Sequence, residues 1–121
     1  MYDSKKRISI VSGCYNEEGN LQEFYDRITE VMTGFPQYSY EIIIADNRST
    51  DDSRDILRQI ASQDKNFKVI FNANNFGPVR SGYNAFLQAS GDSVVLMSSD
   101  LQDPPEVIAD MIRKWEEGYQ V

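Results

Sequence analysis

There is no histidine anywhere in these 121 residues, which excludes imidazole acid–base chemistry and histidine-ligated metal sites. Cysteine occurs once, at Cys14, so there is neither a disulfide framework nor a thiolate zinc site. Basic residues are scarce: 12 Lys and Arg stand against 19 Asp and Glu, a net charge of −7. No nucleic-acid partner is expected, because no basic stripe exists to neutralise phosphates. An anionic ligand would need a metal ion or helix N-termini to be held against that field. No apolar run is long enough to span a bilayer, and the start, Met1 to Arg7, is polar with no secretory signal. The cytoplasm is the expected compartment, and membrane association is expected only through segments beyond this sequence.

What is present is ordinary for one soluble globular domain, with 40% hydrophobic and 26% charged residues. Short apolar runs alternate with segments of helical spacing. Strands are expected at Ile8–Val11, Tyr40–Ala45, Phe67–Phe71 and Ser93–Met97. The first helix follows Asn20 as N-cap with Glu23 three residues on, and buries Leu21, Phe24, Tyr25, Ile28, Val31 and Met32 before Gly34 and Pro36 stop it. Ser49 is placed to cap a second helix lined by Ile56, Leu57, Ile60 and Ala61. Pro78 opens a third, carrying Val79, Tyr83, Phe86 and Leu87 inward, and a last helix buries Ile108, Met111, Ile112 and Trp115 up to Gly118. Four strand–helix alternations predict an α/β fold: a mainly parallel open sheet with helices on both faces. Right-handed crossovers give the strand order 3-2-1-4.

The stretch from Ser93 to Glu106 is the most informative. An apolar run reads as a fully buried strand and delivers Ser98, Ser99, Asp100, Leu101, Gln102 and Asp103 to the lip of the sheet. Asp103 then fits an N-cap, Pro104 the first helical position, and Glu106 a capping box. Oxygen ligands fixed this way suit a hard cation such as Mg²⁺ or Mn²⁺, although two acids in a turn can equally serve only as caps. Polar clusters follow the other strands too: Tyr15-Asn16-Glu17-Glu18, Asp46-Asn47-Arg48-Ser49, and Asn72 to Gly77. In open α/β sheets ligands bind beyond those strand ends, where strand order reverses. Strands 1 and 4 flank that point, so Glu17 and Asp100 are expected at a common site, with Asp46 one strand further along.

These residues resemble family 2 glycosyltransferases of GT-A fold, and among them the polyprenyl-phosphate (dolichol-phosphate type) sugar transferases. Tyr15-Asn16-Glu17-Glu18 is similar to the family's turn after its first strand. Asp46-Asn47-Arg48-Ser49-Thr50-Asp51 is similar to its Asp-(Asp/Asn)-x-Ser-x-Asp segment. Asn75-Phe76-Gly77 with Asn84 resembles its Asn-x-Gly helix start, and Asp100-Leu101-Gln102-Asp103-Pro104-Pro105-Glu106 is close to verbatim.

The resemblance implies transfer of a sugar from a UDP- or GDP-linked donor to a lipid phosphate or glycan, with inversion. It implies a donor site of Tyr15, Asn16, Glu17, Asp46, Ser49, Arg80 and Ser98. Asp46 would accept from the nucleobase, Glu17 would contact base or ribose, and Asp100 with Gln102 would hold Mg or Mn. Residues 1–121 are expected to be the nucleotide-sugar-binding part, ending before the acceptor-binding part and before the general base, which is expected beyond Val121. Two departures stand out: Ser98 replaces the first acid of an Asp-x-Asp pair, and Gly13 stands where proline is usual. Ser98 weakens the metal site on paper, so a non-catalytic nucleotide-sugar-binding module is the alternative. Cys14 reads as packing.

Overall fold

The alternation in the sequence becomes alternation in space. The computed structural model describes residues 6–72, 89–102 and 104–118. Its elements are β1 (Arg7–Cys14), α1 (Leu21–Thr33), β2 (Ser39–Asp46), α2 (Ser53–Gln63), β3 (Phe67–Phe71), β4 (Ser93–Leu96) and α3 (Val107–Glu116). The strands form one parallel sheet in the order β3-β2-β1-β4, as the crossover rule predicts. The helix expected after Pro78, with Arg80, Asn84 and the Asn75-Phe76-Gly77 motif, lies outside the described residues, as do Asp103 and 119–121.

The period of two along the strands divides the core. Ile8, Ile10, Ile42, Ile44, Phe67 and Val95 face α1, α2 and α3, which return Leu21, Phe24, Ile28, Met32, Leu57, Ile60, Ile108 and Ile112. Val11, Ile43 and Ala45 are buried on the other face. Each fully buried Leu, Ile or Phe contributes about 1.5–3 kcal/mol, so the two central strands and these helix faces fix the register. Tyr25, Val31, Ile56, Ala61, Met111 and Trp115 are half-buried rather than buried. No helix among the described residues is long and apolar enough to cross a membrane.

Register shapes the lip. Cys14 pairs with Asp46, and Asp46 with Phe71, so β1, β2 and β3 end level. By contrast β4 stops at Leu96, opposite Val11, and the chain runs on beside β1. Met97 N–H donates to Val11 C=O (3.0 Å) and Ser99 Oγ to Gly13 C=O (2.9 Å). The expectation that this strand is buried throughout fails: Val95 is buried, but Leu96 is 58% exposed, because β4 is an edge of the described sheet.

Asn20 is the N-cap of α1 as expected, but the expected capping bonds are replaced by others. None of the three described helices has a side-chain cap, because the capping candidates bond elsewhere. Asn20 Nδ2 donates to Glu17 Oε2 (2.9 Å), and Ser49 bonds Asp46, so α2 begins only at Ser53. Glu106 is bound by Arg27 instead of closing a capping box. Before α3 the chain makes tight turns, with Val107 N–H to Pro104 C=O and Ile108 N–H to Pro105 C=O, both 3.0 Å. At the far end Gly118 takes φ +97°, the left-handed conformation that stops the helix.

One feature of β2 was not legible as structure. Glu41 is fully buried near the N-terminal ends of the strands, with its carboxylate at the centre of a polar knot. It accepts from Ser9 Oγ (2.6 Å), Lys68 Nζ (2.7 Å), Ser90 N–H (2.8 Å), Ser90 Oγ (3.0 Å) and Arg7 Nη2 (3.3 Å). The knot ties β1, β2, β3 and the approach to β4 together. Gly91 N–H joins it through Ser9 Oγ (2.9 Å), and a Cβ there would come within 2.6 Å of that oxygen, so only glycine fits. Burial alone would push the Glu41 carboxyl up. The Lys68 ammonium, the Ser9 hydroxyl and the Ser90 amide and hydroxyl outweigh it and hold it well below the usual carboxylate range.

Glu41→Gln should therefore cost about 2–3 kcal/mol, less than many buried pairs because Lys68 and Arg7 can reach water once released. The sign in pH follows. A depressed carboxyl contributes stability at pH above its unfolded value of about 4.5 and loses it as pH falls towards the folded value. Urea unfolding at pH 7, 5, 4 and 3 should show the wild type losing its advantage over Glu41→Gln below that point. Parallel curves at all four values would contradict the assignment.

Candidate functional site

Two loops on the lip are laced into one unit, starting from the end of β2. Asp46 is fully buried, and its Oδ1 accepts from Ser49 Oγ (2.5 Å) while Oδ2 accepts from Ser49 N–H (3.1 Å). Arg54 Nε lies 3.3 Å from Oδ2, and its guanidinium sits 4.8 Å from the centre of the Phe71 ring. The Ser49 hydroxyl, fixed as a donor to Asp46, presents its lone pairs to Asn16 N–H (3.0 Å). Asn16 answers with its side chain: Oδ1 accepts from Thr50 N–H (2.8 Å) and Asp51 N–H (3.3 Å), and Nδ2 donates to Thr50 Oγ1 (3.2 Å). Glu17 N–H donates to Ser53 Oγ (2.9 Å), and Glu18 N–H to Asp51 Oδ2 (3.3 Å). Asn16 and Arg48 both have positive φ (54° and 61°), a conformation asparagine tolerates and arginine rarely adopts.

The loop after β4 carries the third contribution. Ser98 and Gln102 are exposed, Asp100 is half-buried, and Leu101 lies between them at φ 65° with its side chain packed on the core. Asp100 Oδ1 accepts from Gln102 N–H (3.0 Å), and that bond first, then the Ser98 hydroxyl, holds the Asp100 carboxyl below its ordinary value. Ser98 Oγ also receives Asp100 N–H at 3.4 Å. Asp100 is thus ionised and only partly committed within its own loop.

Of the expected site residues, Tyr15 (47% exposed), Asn16 and half-buried Glu17 lie on the β1 loop, next to the Ser98–Gln102 loop of the neighbouring strand. Asp46 and Ser49 are on the same lip but enclosed; their oxygens organise the loop and are not offered to solvent. Arg80 lies outside the described residues. Asn47 and Asn72, expected only as members of the polar clusters after the strands, are both buried at the strand ends, with Asn72 Nδ2 donating to Asn47 Oδ1 (3.1 Å) and Asn72 N–H to Asp46 C=O (2.9 Å). Position after an apolar strand marks them in the sequence but not their burial. Ser99, expected at the lip, is buried too and pins the β4 exit to Gly13.

Among the described residues no group of three acidic or cysteine side chains is assembled to hold a metal ion. The donor set after β4, the Asp100 carboxylate with the Ser98 hydroxyl beside it and exposed Gln102 two residues on, fits a hard cation shared with ligand phosphates better than a resident ion. Cys14 is not such a donor. Burial, and then the nearby Asp46 charge, push its thiol up to about 12.

A sequence model of the family described as Glycosyl transferase family 2 matches residues 9–121. The chain is 37% identical over 117 residues to the undecaprenyl-phosphate 4-deoxy-4-formamido-L-arabinose transferase of Yersinia pestis, covering 96% of this chain and 36% of that protein. It spans about a third of the length of the curated relatives it matches. The mannosyltransferase PcManGT from Pyrobaculum calidifontis, solved with GDP-Man and Mn²⁺, superposes with a TM-score of 0.75 at 21% identity, over 91% of this chain and 32% of that one. The glucosyl-3-phosphoglycerate synthase of Mycobacterium tuberculosis, solved with Mn²⁺, UDP and glucosyl-3-phosphoglycerate, gives 0.69 at 26% identity, over 91% and 39%.

Asn16 separates backbone from side-chain effects in this lip. Asn16→Ala should cost about 2–3 kcal/mol, from three lost side-chain bonds and the left-handed φ. Asn16→Gly loses the same bonds but not the conformation, so glycine should be the milder change by about 1 kcal/mol. Chemical denaturation of both variants checks the order, and alanine milder than glycine would mean the strained φ is not maintained.

Proposed function

The chain belongs to glycosyl transferase family 2, and on that footing we propose that it is the donor-binding part of an enzyme moving a sugar from a nucleoside diphosphate to an acceptor. The observation that carries the reading is the lip itself. Two loops locked together by Asn16 stand beside a third that presents Asp100, at the place where strand order reverses. The donor is a UDP- or GDP-linked sugar, and the acceptor a polyprenyl-type lipid phosphate or a glycan. The arabinose transferase relative, named for an undecaprenyl-phosphate acceptor, supports the lipid. The synthase holding UDP and Mn²⁺ supports the donor class and the metal. The same reading places the protein in the cytoplasm.

In this proposal exposed Tyr15 supplies a flat surface for the nucleoside, and Glu17 offers an acceptor to base or ribose hydroxyl. Asn16 holds both in place through Thr50 and Asp51. Asp46 acts from beneath, keeping Ser49 and hence the Asn16 backbone fixed, and a base contact of its own requires Arg54 and Ser49 to yield. Asp100, with Ser98 and Gln102 beside it, holds a Mg or Mn ion, which when bound offsets the charge of the departing diphosphate. The acceptor oxygen attacks the anomeric carbon from the side opposite the nucleoside diphosphate, whose bond to that carbon breaks as the new one forms, so configuration inverts; a lipid phosphate attacks as its anion, whereas a glycan hydroxyl would give its proton to a general base.

Two titrations test this. Calorimetry with UDP and with GDP should show weak binding that strengthens with Mn²⁺, and Asp100→Ala should remove that metal-dependent gain, about 1.5–3 kcal/mol, while sparing metal-free binding. No binding of either nucleotide by folded protein would sink the donor-site reading. Restoring a carboxylate with Ser98→Asp should raise Mn²⁺ affinity without nucleotide, read by water-proton relaxation. Identical curves would mean that position 98 does not face the ion.

A further inference from the structure

The chain from Met97 to Glu106 joins β4 to α3 and has to hold Asp100 still while containing a strained residue, Leu101 at φ 65°. Its near end is fixed by Met97 N–H on Val11 and Ser99 Oγ on Gly13. Beyond Ser99 its hydrogen bonds among the described residues are local turns, with Gln102 N–H on Asp100 and Val107 N–H on Pro104, until Glu106. There the loop is gripped from α1. Arg27 Nε donates to Glu106 Oε2 (3.0 Å) and Arg27 Nη2 to Glu106 Oε1, a bidentate pair. Arg27 Nη1 donates to Glu23 Oε2 (3.0 Å), one helical turn back, so all three guanidinium nitrogens are committed and the fork is fixed in direction.

We propose that Arg27 is a positioning residue of the donor site: by holding Glu106 it anchors the far end of the Asp100 loop to α1 and keeps Asp100 set to share a cation with the diphosphate. The role rests on the donor-site reading above. It is geometric, since an ion pair this close to the surface adds little to global stability. Arginine is required because a lysine ammonium can make only a point contact with Glu106 and cannot fix the carboxylate plane. Between the two anchors, Leu101 packing on the core balances its own backbone strain. Buried Pro105 and Ile108 seat the start of α3 on the core, and the Arg27 fork fixes the direction of Glu106 on top of that packing; its loss loosens the α3 start and, through it, the setting of Leu101 and Asp100.

The test compares UDP binding with and without Mn²⁺ in wild type, Arg27→Met, Glu106→Gln, the double variant and Arg27→Lys. The metal-dependent gain in affinity should shrink about three- to tenfold in either single variant, and no further in the double, because both remove one interaction. Arg27→Lys should recover part of it. Metal-free UDP affinity should stay within about twofold of wild type. Long-range charge cannot mimic this, since Arg27→Met makes the chain more negative and Glu106→Gln less. An unchanged metal-dependent gain in Arg27→Met, or an equal loss with and without metal, overturns the positioning role. Failure of the wild type to bind UDP at all would instead bring down the donor-site reading, and this role with it.

Discussion

The bond from the Ser49 hydroxyl to the buried Asp46 carboxylate is the constraint on which the lip depends. A carboxylate at the end of a central strand, removed from water, must have its oxygens satisfied, and Ser49 supplies both a hydroxyl and an amide. Committing that hydroxyl as a donor leaves its lone pairs for Asn16 N–H, and this sets the left-handed turn of the neighbouring loop. Asn16 then returns bonds to Thr50 and Asp51. A chain of obligations thus runs from one buried charge to two loops, and neither loop could take its form without the other.

A second buried carboxylate does comparable work at the opposite end of the sheet. Glu41 collects donors from the flanking strands and from Ser90, while the β2 residues between the two carboxylates, Ile42 to Ala45, are apolar. An all-apolar parallel sheet can slip in register by two residues and still bury its side chains. A charge that needs Ser9, Lys68 and Ser90 opposite it cannot, because a slip leaves it unpaired. That fixes where β1, β2 and β3 begin, and their level C-terminal ends follow from equal registers.

The fold was legible from period and alternation: strand order, the helix faces and even the limits of β3 follow from apolar spacing and the crossover rule. The position of the α1 cap, Asn20, was legible, but side-chain capping was not, because Asn20 and Ser49 have competing acceptors three residues back and Glu106 has a distant arginine. Ser49 was taken by Asp46, and Glu106 by Arg27, 79 residues away. The burial of Leu96 was misjudged since an apolar run does not reveal whether its strand is central or at an edge. Site residues were legible as positions after strands, yet not as exposed or enclosed. Asp46 and Tyr15 follow strands alike, and one is sealed while the other is open.

Enclosure of Asp46 bears on how an acidic chain could accept a diphosphate. With a net charge of −7, each cation on the lip matters, and Arg54 is spent on Asp46 and Phe71. Arg58 stacks on the same ring and pairs with Asp55. Arg54 is held against buried Asp46 and the Phe71 ring, whereas the Arg58–Asp55 pair is exposed and adds little. On the donor-site reading, the ion beside Asp100 then takes up diphosphate charge that these two arginines do not. One carboxylate with a hydroxyl neighbour binds a hard cation weakly alone but well once phosphate oxygens complete its shell. Ion and nucleotide would therefore arrive as a cooperative pair, and the missing second acid becomes a means of coupling them: a stronger resident ion would bind regardless of donor, whereas a weak one is held only when there is a diphosphate to share it.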